Sequence, residues 1–224
     1  MIDWAPLLLT FKLALITTLI LLIIALPLAH WLAFSRMKLK PLVETIVSLP
    51  LVLPPTVLGF YLLIAFSPGN AFGAWLDEWL GLSLVFSFEG LVLASVLYSL
   101  PFMVQPIQSG LSALPSTLRD AAFVLGKSRR STLFQVLLPN IKPALLSGIV
   151  LSFAHTIGEF GVVLMIGGNL PEETRVASIA IYDEVEGLNY SAANTYAFIL
   201  LAVTFSILLM VYIVNNHHQK RRRA

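Results

Sequence analysis

Long runs of apolar residues, separated by short polar segments, recur along the whole chain. Five runs reach the roughly 20 residues that a helix needs to cross a bilayer; they cover 7–34, 46–66, 90–110, 144–167 and 192–214. The first run is too long for a signal-peptide core and has Asp3 ahead of it, so we interpret it as a retained span. The pattern predicts an all-α polytopic membrane protein with a single domain whose core covers 7–214.

A shorter amphipathic segment follows the second run. Asp77 and Glu78 lie on one helical face, and the opposite face is apolar. Such a segment favours a short helix at the membrane interface, although a re-entrant excursion that adds a sixth membrane segment stays open. The apolar face consists of Trp75, Leu76, Trp79 and Leu80.

Basic residues are distributed unevenly between the polar segments. Twelve of the 14 Lys and Arg residues lie after the first run, after the third run and in the tail 215–224. The other connecting segments are acidic, with Arg175 as their one basic residue. Because Lys and Arg in short loops are retained in the cytoplasm, we expect a bacterial inner-membrane protein with its N-terminus outside and its C-terminus in the cytoplasm.

Composition excludes several functions for this chain. Hydrophobic residues make up 58% and charged residues 12%, whereas soluble domains carry about 25% charged residues. The absence of cysteine excludes disulfides and thiolate metal sites. Gly126-Lys127-Ser128 has the ending of a phosphate-binding loop, but Ala121 stands where that motif needs its first glycine. We expect no cofactor, metal or nucleic acid to bind this chain.

The second and third runs contain helix breakers. A proline inside a helix removes a backbone donor and clashes with the preceding turn, so these helices are expected to kink or break. In a membrane, breaks are tolerated where they line a cavity, which favours a gate here, although prolines also bend helices to improve packing. The breakers are Pro50, Pro54, Pro55 and Gly59 in the second run and Pro101 and Pro106 in the third.

Polar residues inside the runs are candidates for a translocation pathway. Their hydroxyl groups could pass a hydrated anion along, or could bond to their own or a neighbouring helix. Glu159 lies well inside the fourth run, and because a carboxylate would repel an oxyanion, we predict that it caps a broken helix or pairs with a base such as Lys12. The candidate pathway residues are Pro54, Pro55, Ser95, Ser99, Ser152, Thr156, Gly158 and Glu159.

The basic segment 114–143 is longer than a simple connector needs to be. Thr117 to Asp120 has the spacing of a capping box, and Gly126 is placed to end a helix of about two turns. This pattern predicts a compact helix, held between two spans, that a partner protein can push or pull. An ordinary surface helix lying on the lipid headgroups is the alternative.

A family pattern occupies the same segment. Asp120-Ala121-Ala122, then Gly126 after three residues, then Val136-Leu137-Leu138-Pro139 after nine more, resembles the permease loop of binding-protein-dependent ABC importers. Asp120 and Val136 replace the family's usual glutamate and isoleucine. The resemblance implies a type I importer permease fold in which this loop is a coupling helix that docks on an ATPase. The implied docking residues are Asp120, Ala121, Ala122, Gly126, Val136, Leu138 and Pro139.

Two other stretches resemble a subgroup of that family. Residues 49–59, and 158–161 together with 168–175, are similar to signatures of molybdate and sulfate permeases. The resemblance implies a homodimer, two ATPase subunits that hold ATP and Mg²⁺, and a periplasmic oxyanion-binding protein. It implies a non-catalytic permease subunit that moves molybdate. Sulfate, thiosulfate and tungstate stay open, because these oxyanions share charge and tetrahedral shape.

Three other classes of function compete with this interpretation. A proton-driven secondary transporter would use His155 and Glu159 as a relay, but it gives no reason for the coupling-helix pattern. An intramembrane enzyme would need a recognisable nucleophile or His-Glu-x-x-His motif, which the chain lacks. A passive membrane scaffold would tolerate loss of the cytoplasmic helix.

Overall fold

The computed structural model describes the backbone of residues 3–223 and the side chains of residues 3–213. Every regular element in this part of the chain is helical, which confirms the all-α prediction. The side chains of the predicted basic tail, 215–224, lie outside the described residues. The helices are α1 (Ala5–Phe34), α2 (Lys40–Ser48), α3 (Pro55–Phe66), α4 (Ala71–Leu80), α5 (Phe88–Ser112), α6 (Ser116–Val124), α7 (Arg129–Thr132), α8 (Leu138–Asn140), α9 (Lys142–Ile157), α10 (Gly161–Gly167), α11 (Ala177–Glu186) and α12 (Tyr190–Arg223).

Three described helices are long and apolar enough to cross a membrane on their own: α1, α5 and the part of α12 at Tyr190–Ile213. Two bent pairs raise the number to five if each pair is one span. In the first pair, Lys40–Leu51 meets Pro55–Phe66 at 108°, and in the second, Arg129–Asn140 meets Lys142–Ile157 at 82°. If each pair is one span, the domain combines spans made of one continuous helix with strongly bent ones.

Helix α5 forms the centre of the core, packed between α1 and α9. Its buried Met103, Ile107 and Leu111 share one apolar cluster with Leu21 and Leu32 of α1. On the α9 side, a Cβ added at Gly148 would lie 3.2 Å from the Met103 carbonyl oxygen. Since apolar side chains gain little by leaving lipid for protein, close packing at such small residues is what holds membrane helices together.

The second predicted span, 46–66, is broken, as the prolines in it predicted. Helix α2 ends at Ser48, a short 3₁₀ turn covers Leu49–Leu51, and α3 starts only at Pro55. Pro54 disfavours helical backbone in the residue before it, and Pro55 occupies the first position of α3, where a missing N–H costs nothing. The two prolines therefore end one helix and begin the next.

The third predicted span behaves differently. We expected Pro101 and Pro106 to kink or break it, but α5 runs through both as one helix of 25 residues, so the predicted break is wrong. Pro101 is buried, and α1 and α9 pack along the helix. Neighbouring helices can support a proline-containing turn in this way, which is why membrane helices tolerate prolines better than soluble ones.

The amphipathic segment after α3 forms the expected short helix, α4. The Asn70 side chain accepts a hydrogen bond from the Phe72 N–H (3.1 Å) at its start, and Gly81 ends it in a left-handed conformation (φ 62°). Trp79 is 75% exposed. With 10 residues, α4 is about 15 Å long, so it is too short to be a sixth span.

The fourth predicted span, 144–167, is interrupted beside Glu159, where the sequence predicted a broken helix: α9 ends at Ile157 and α10 begins at Gly161. The Glu159 side chain, 6% exposed, accepts a hydrogen bond from the Val162 N–H (2.9 Å). This bond confirms the capping role predicted for Glu159. Pairing with Lys12 is wrong, since the Lys12 ammonium lies over the Phe88 ring, 4.3 Å from its centre.

The cap predicts how substitutions of Glu159 affect stability. Glu159→Gln keeps an acceptor oxygen and is expected to leave the melting temperature of the purified chain close to that of the wild type. Glu159→Leu removes the acceptor and is expected to lower the melting temperature, because loss of a helix cap typically reduces the free energy of unfolding by about 1 kcal/mol. Thermal unfolding in nanodiscs measures both variants. An equal loss of stability in both would contradict the capping role.

Candidate functional site

Helix α6 is the predicted coupling helix, and it begins at Ser116, with three residues between it and the end of α5. Its N-cap is Pro115, with no side-chain hydrogen bond, so the predicted capping box from Thr117 to Asp120 is wrong. Pro115 has the extended backbone (ψ 135°) of a residue that precedes a helix, so the helix starts two residues earlier than a cap at Thr117 would require. Thr117 therefore lies within the first turn.

Gly126 ends this helix as predicted. It adopts φ +76°, the left-handed region that favours glycine. The Gly126 N–H donates to the Phe123 carbonyl (2.9 Å) and the Lys127 N–H to the Ala122 carbonyl (3.0 Å). These two bonds form a Schellman motif, which satisfies the last carbonyls of the helix and turns the chain sharply.

The end of α6 presents an apolar tip. Phe123, Val124 and Leu125 are 42%, 87% and 79% exposed, whereas Ala122 beside them is 4% exposed and faces the protein. Asp120 and Ala121 are exposed as well. An exposed apolar patch on a short helix between two long ones is a feature expected of a protein–protein contact.

The rest of the predicted docking segment returns the chain from α6 to α9. Val136 lies in a π-helical turn, Leu133–Leu137, and Leu138 and Pro139 belong to α8. Pro139 has no N–H to donate to the preceding turn, and the Asn140 side chain donates to the Val136 carbonyl (2.8 Å). Gln135 accepts hydrogen bonds from Lys127 (2.6 Å) and Ser131 (2.9 Å). Hydrogen bonds within the segment therefore hold its shape.

A second feature is an open cleft of about 540 Å³ where the broken helices meet. The starts of α3 and α10 touch there, because a Cβ added at Gly161 would lie only 2.7 Å from the Pro55 Cβ. Helices α5 and α9 supply its other walls. The lining residues are Pro55, Thr56, Tyr98, Ala154, His155, Gly158, Glu159, Phe160 and Gly161.

His155 is held firmly in the wall of this cleft. Its ring stacks on Phe102 (centroids 4.0 Å apart) and contacts Tyr98 (4.9 Å). Its Nδ1 lies 3.0 Å from the Ser99 hydroxyl, which is also 3.1 Å from the Thr156 hydroxyl. The Thr156 hydroxyl also lies 2.9 Å from the Ser152 carbonyl. This network ties α5 to α9.

The structure separates the candidate pathway residues into two groups. Pro55, Gly158 and Glu159 line the cleft. The hydroxyl residues Ser95, Ser99, Ser152 and Thr156 are buried between helices, and Pro54 precedes α3 without lining the cleft. A pathway role for this second group stays a prediction. Sequence reasoning missed Thr56, Tyr98 and Phe160, although the position of Thr56 after two prolines was a signal for it.

The stretch 168–175, singled out by its resemblance to oxyanion permeases, forms a braced loop. The buried Thr174 hydroxyl donates to the Gly167 carbonyl (2.7 Å) and accepts from the Leu170 N–H (3.0 Å). Arg175 donates to Asn169 (2.6 Å) and lies 3.4 Å from the carboxylate of Asp183. The loop therefore holds a defined shape against α11.

Curated relatives are similar to the chain over most of its length. The molybdenum transport system permease protein ModB of Azotobacter vinelandii is 46% identical over 211 residues, which cover 94% of this chain and 93% of the relative. ModB of Escherichia coli K12 is 34% identical, covering 82% and 80%. A probable sulfate transport system permease protein, cysT of Marchantia polymorpha, is 33% identical, covering 90% and 70%.

Solved structures show the same fold at low sequence identity. A bacterial ABC transporter that imports the polysaccharide alginate superimposes with a TM-score of 0.78 at 18% identity, covering 95% of this chain and 78% of that one. The methionine ABC transporter MetNI, in an inward-facing conformation, gives a TM-score of 0.73 at 18% identity, covering 95% and 94%.

The family model for the inner membrane component of binding-protein-dependent transport systems matches residues 25–224. Together with the relatives, this match confirms the resemblance seen in the coupling-loop residues and identifies a multi-pass inner-membrane permease of the ABC importer type. The chain belongs to the family of binding-protein-dependent transport system inner membrane components.

Proposed function

We propose that this chain is the permease subunit of an ATP-driven importer that moves molybdate across the inner membrane. The observation that supports molybdate as the substrate is the 46% identity to a molybdenum transport permease over 94% of the chain. Sulfate permeases are also similar, at 33% identity over comparable lengths. Molybdate is therefore the first substrate to test, with sulfate, thiosulfate and tungstate as the alternatives.

The proposed complex contains two copies of this chain, two ATPase subunits and a periplasmic binding protein. The apolar tip at Phe123, Val124 and Leu125 fits an apolar groove on the ATPase, where burial of these side chains would stabilise docking. The ATPase, and not this chain, holds ATP and Mg²⁺. This arrangement places α6 in the cytoplasm, as the distribution of Lys and Arg predicts, and the N-terminus outside.

Movement of α6 reaches the cleft through two helices. Three residues connect α6 to α5, and the π-helical turn and α8 connect it to α9. Both helices carry cleft residues further along, Tyr98 on α5 and His155 on α9. We infer that closure of the ATPases on ATP displaces α6 and shifts these walls, so that the cleft opens outward and hydrolysis resets it.

The cleft suits passage of an anion better than retention. No Lys or Arg lines it among the described residues, and the Glu159 carboxylate is engaged in capping α10. Because a transported ion must also leave its site, low affinity favours fast transport. Selectivity for the oxyanion is therefore assigned to the binding protein, which delivers it on the side of the braced loop at 168–175.

The docking proposal predicts the effect of a charge at the tip of α6. Leu125→Asp puts a carboxylate where the ATPase would bury an apolar side chain, and it is expected to weaken association at least tenfold, since an unpaired buried charge costs several kcal/mol. Co-purification of the ATPase with tagged permease measures the association. Leu188→Asp, at an equally exposed leucine (73%) between α11 and α12, is the matched control. Retention of the ATPase by Leu125→Asp would contradict docking at this tip.

Transport is tested by uptake of radiolabelled molybdate into proteoliposomes that contain the permease, its ATPase and its binding protein. We expect uptake to require ATP, tungstate to compete well, and Glu159→Gln to transport at close to the wild-type rate, since the amide preserves the cap. Stronger competition by sulfate would identify a sulfate importer. Uptake driven by a proton gradient and abolished in Glu159→Gln would instead establish a relay at Glu159 and His155.

A further inference from the structure

A pocket of about 340 Å³ lies behind α6, at the end of α1. It is separate from the cleft, and it shares one residue, Phe123, with the apolar tip of α6. Helix α1 supplies one wall, α6 another, and the segment from α7 to the π-helical turn the third. The lining residues are His30, Phe34, Arg119, Asp120, Phe123, Arg129, Thr132 and Leu137.

Two guanidinium groups converge on this pocket. Arg119 lies over the Phe34 ring, 4.8 Å from its centre, and this contact holds it between α6 and α1. Among the described residues, neither Arg119 nor Arg129 has a carboxylate oxygen within 4.0 Å of its nitrogens. Asp120 also lines the pocket, with an exposed side chain. Because two arginines face one carboxylate, the pocket lining keeps a net positive charge.

Thr132 adds a buried hydroxyl that lacks a partner. It is 2% exposed, and its oxygen has no hydrogen-bond partner within the described part of the chain. Thr10 and Thr18, also buried, bond back to the Pro6 and Ala14 carbonyls of their own helix (both 2.7 Å), whereas the buried Thr17 hydroxyl, like that of Thr132, has no partner among the described residues. Of the two, Thr132 is the one that lines a pocket with arginines. A buried polar group without a partner is unfavourable unless something else supplies the bond.

We propose that this pocket binds a phosphate-type oxyanion, with Arg119, Arg129 and Thr132 as its ligands. Guanidinium groups pair with tetrahedral oxyanions through two parallel N–H donors, and a hydroxyl completes such a site. The anion is either the headgroup of an anionic phospholipid or a free oxyanion such as phosphate or molybdate. Its position at the cytoplasmic surface rests on the proposed function, which orients α6 toward the cytoplasm.

Occupancy of the pocket would join the coupling helix to α1. Arg119 belongs to α6, Arg129 and Thr132 belong to the segment that leads to α9, and Phe34 closes the pocket from α1. One anion bound to all of them restrains α6 against the core. The site therefore acts on coupling between the ATPase and the cleft. If a lipid headgroup occupies it, transport requires that lipid. If a free oxyanion occupies it, the cytoplasmic anion regulates transport by feedback.

Binding is measured on the purified full-length chain in nanodiscs, without ATPase. In the first arm, phosphatidylcholine nanodiscs are titrated calorimetrically with inorganic phosphate and with molybdate. In the second, native mass spectrometry counts phosphatidylglycerol retained from mixed nanodiscs. We expect saturable binding in one arm, weakened about tenfold by Arg129→Gln through loss of charge-assisted bonds. Arg130→Gln, the exposed neighbour outside the pocket, is the matched control and should bind as the wild type does.

Thr132→Val provides a second variant whose folding is not in question. Replacing the unpartnered hydroxyl by a methyl group should leave the melting temperature of the ligand-free chain unchanged or higher, while weakening anion binding. Binding that Arg130→Gln weakens as much as Arg129→Gln does, or no saturable binding in either arm, would overturn the site. Because neither arm needs ATP or uptake, failure here leaves the proposed transport function standing, and failure of transport leaves this binding result standing.

Discussion

Backbone N–H and carbonyl groups inside a bilayer have no water to bond with, so the chain can leave the helical path only where the protein supplies partners. It leaves that path twice beside the cleft. Before α3, Pro54 and Pro55 have no backbone N–H, so this break leaves fewer hydrogen-bond donors that need a partner. After α9, the Glu159 side chain accepts from the Val162 N–H, and the Ser178 hydroxyl donates to the Glu159 carbonyl (2.6 Å). The cleft exists because these two breaks lie against each other.

The same two helices that wall the cleft also hold α6. Helix α5 leads into α6 and α9 receives the chain after it, and the two are tied by the network of Ser99, His155 and Thr156. Packing at glycines, as at Gly148 against Met103, keeps them close along their length. In the proposed importer, a displacement of α6 would be passed to this joined pair of helices, as coupling an ATPase to a membrane pathway requires.

The cleft and the pocket behind α6 treat anions in opposite ways. The cleft offers hydroxyl and aromatic side chains, and its carboxylate is occupied as a helix cap, so an oxyanion passing through finds nothing to hold it. The pocket offers two guanidinium groups without carboxylate partners and a hydroxyl without a bond. An anion in the pocket would gain charge-assisted hydrogen bonds. The proposed passage and the proposed regulation thus rest on chemically distinct places.

The sequence by itself determined the membrane class, the all-α fold and the end of α6 at Gly126. These follow from local physics: apolar run length and the backbone freedom of glycine. It also indicated that Glu159 caps a broken helix. Only the tertiary structure decided that Pro54 and Pro55 break a span whereas Pro101 and Pro106 do not, because the outcome depends on neighbouring helices. Likewise, the lining of the cleft by Thr56 and Tyr98, and the pocket at Arg119, Arg129 and Thr132, combine residues from distant helices, and no local pattern records which helices meet.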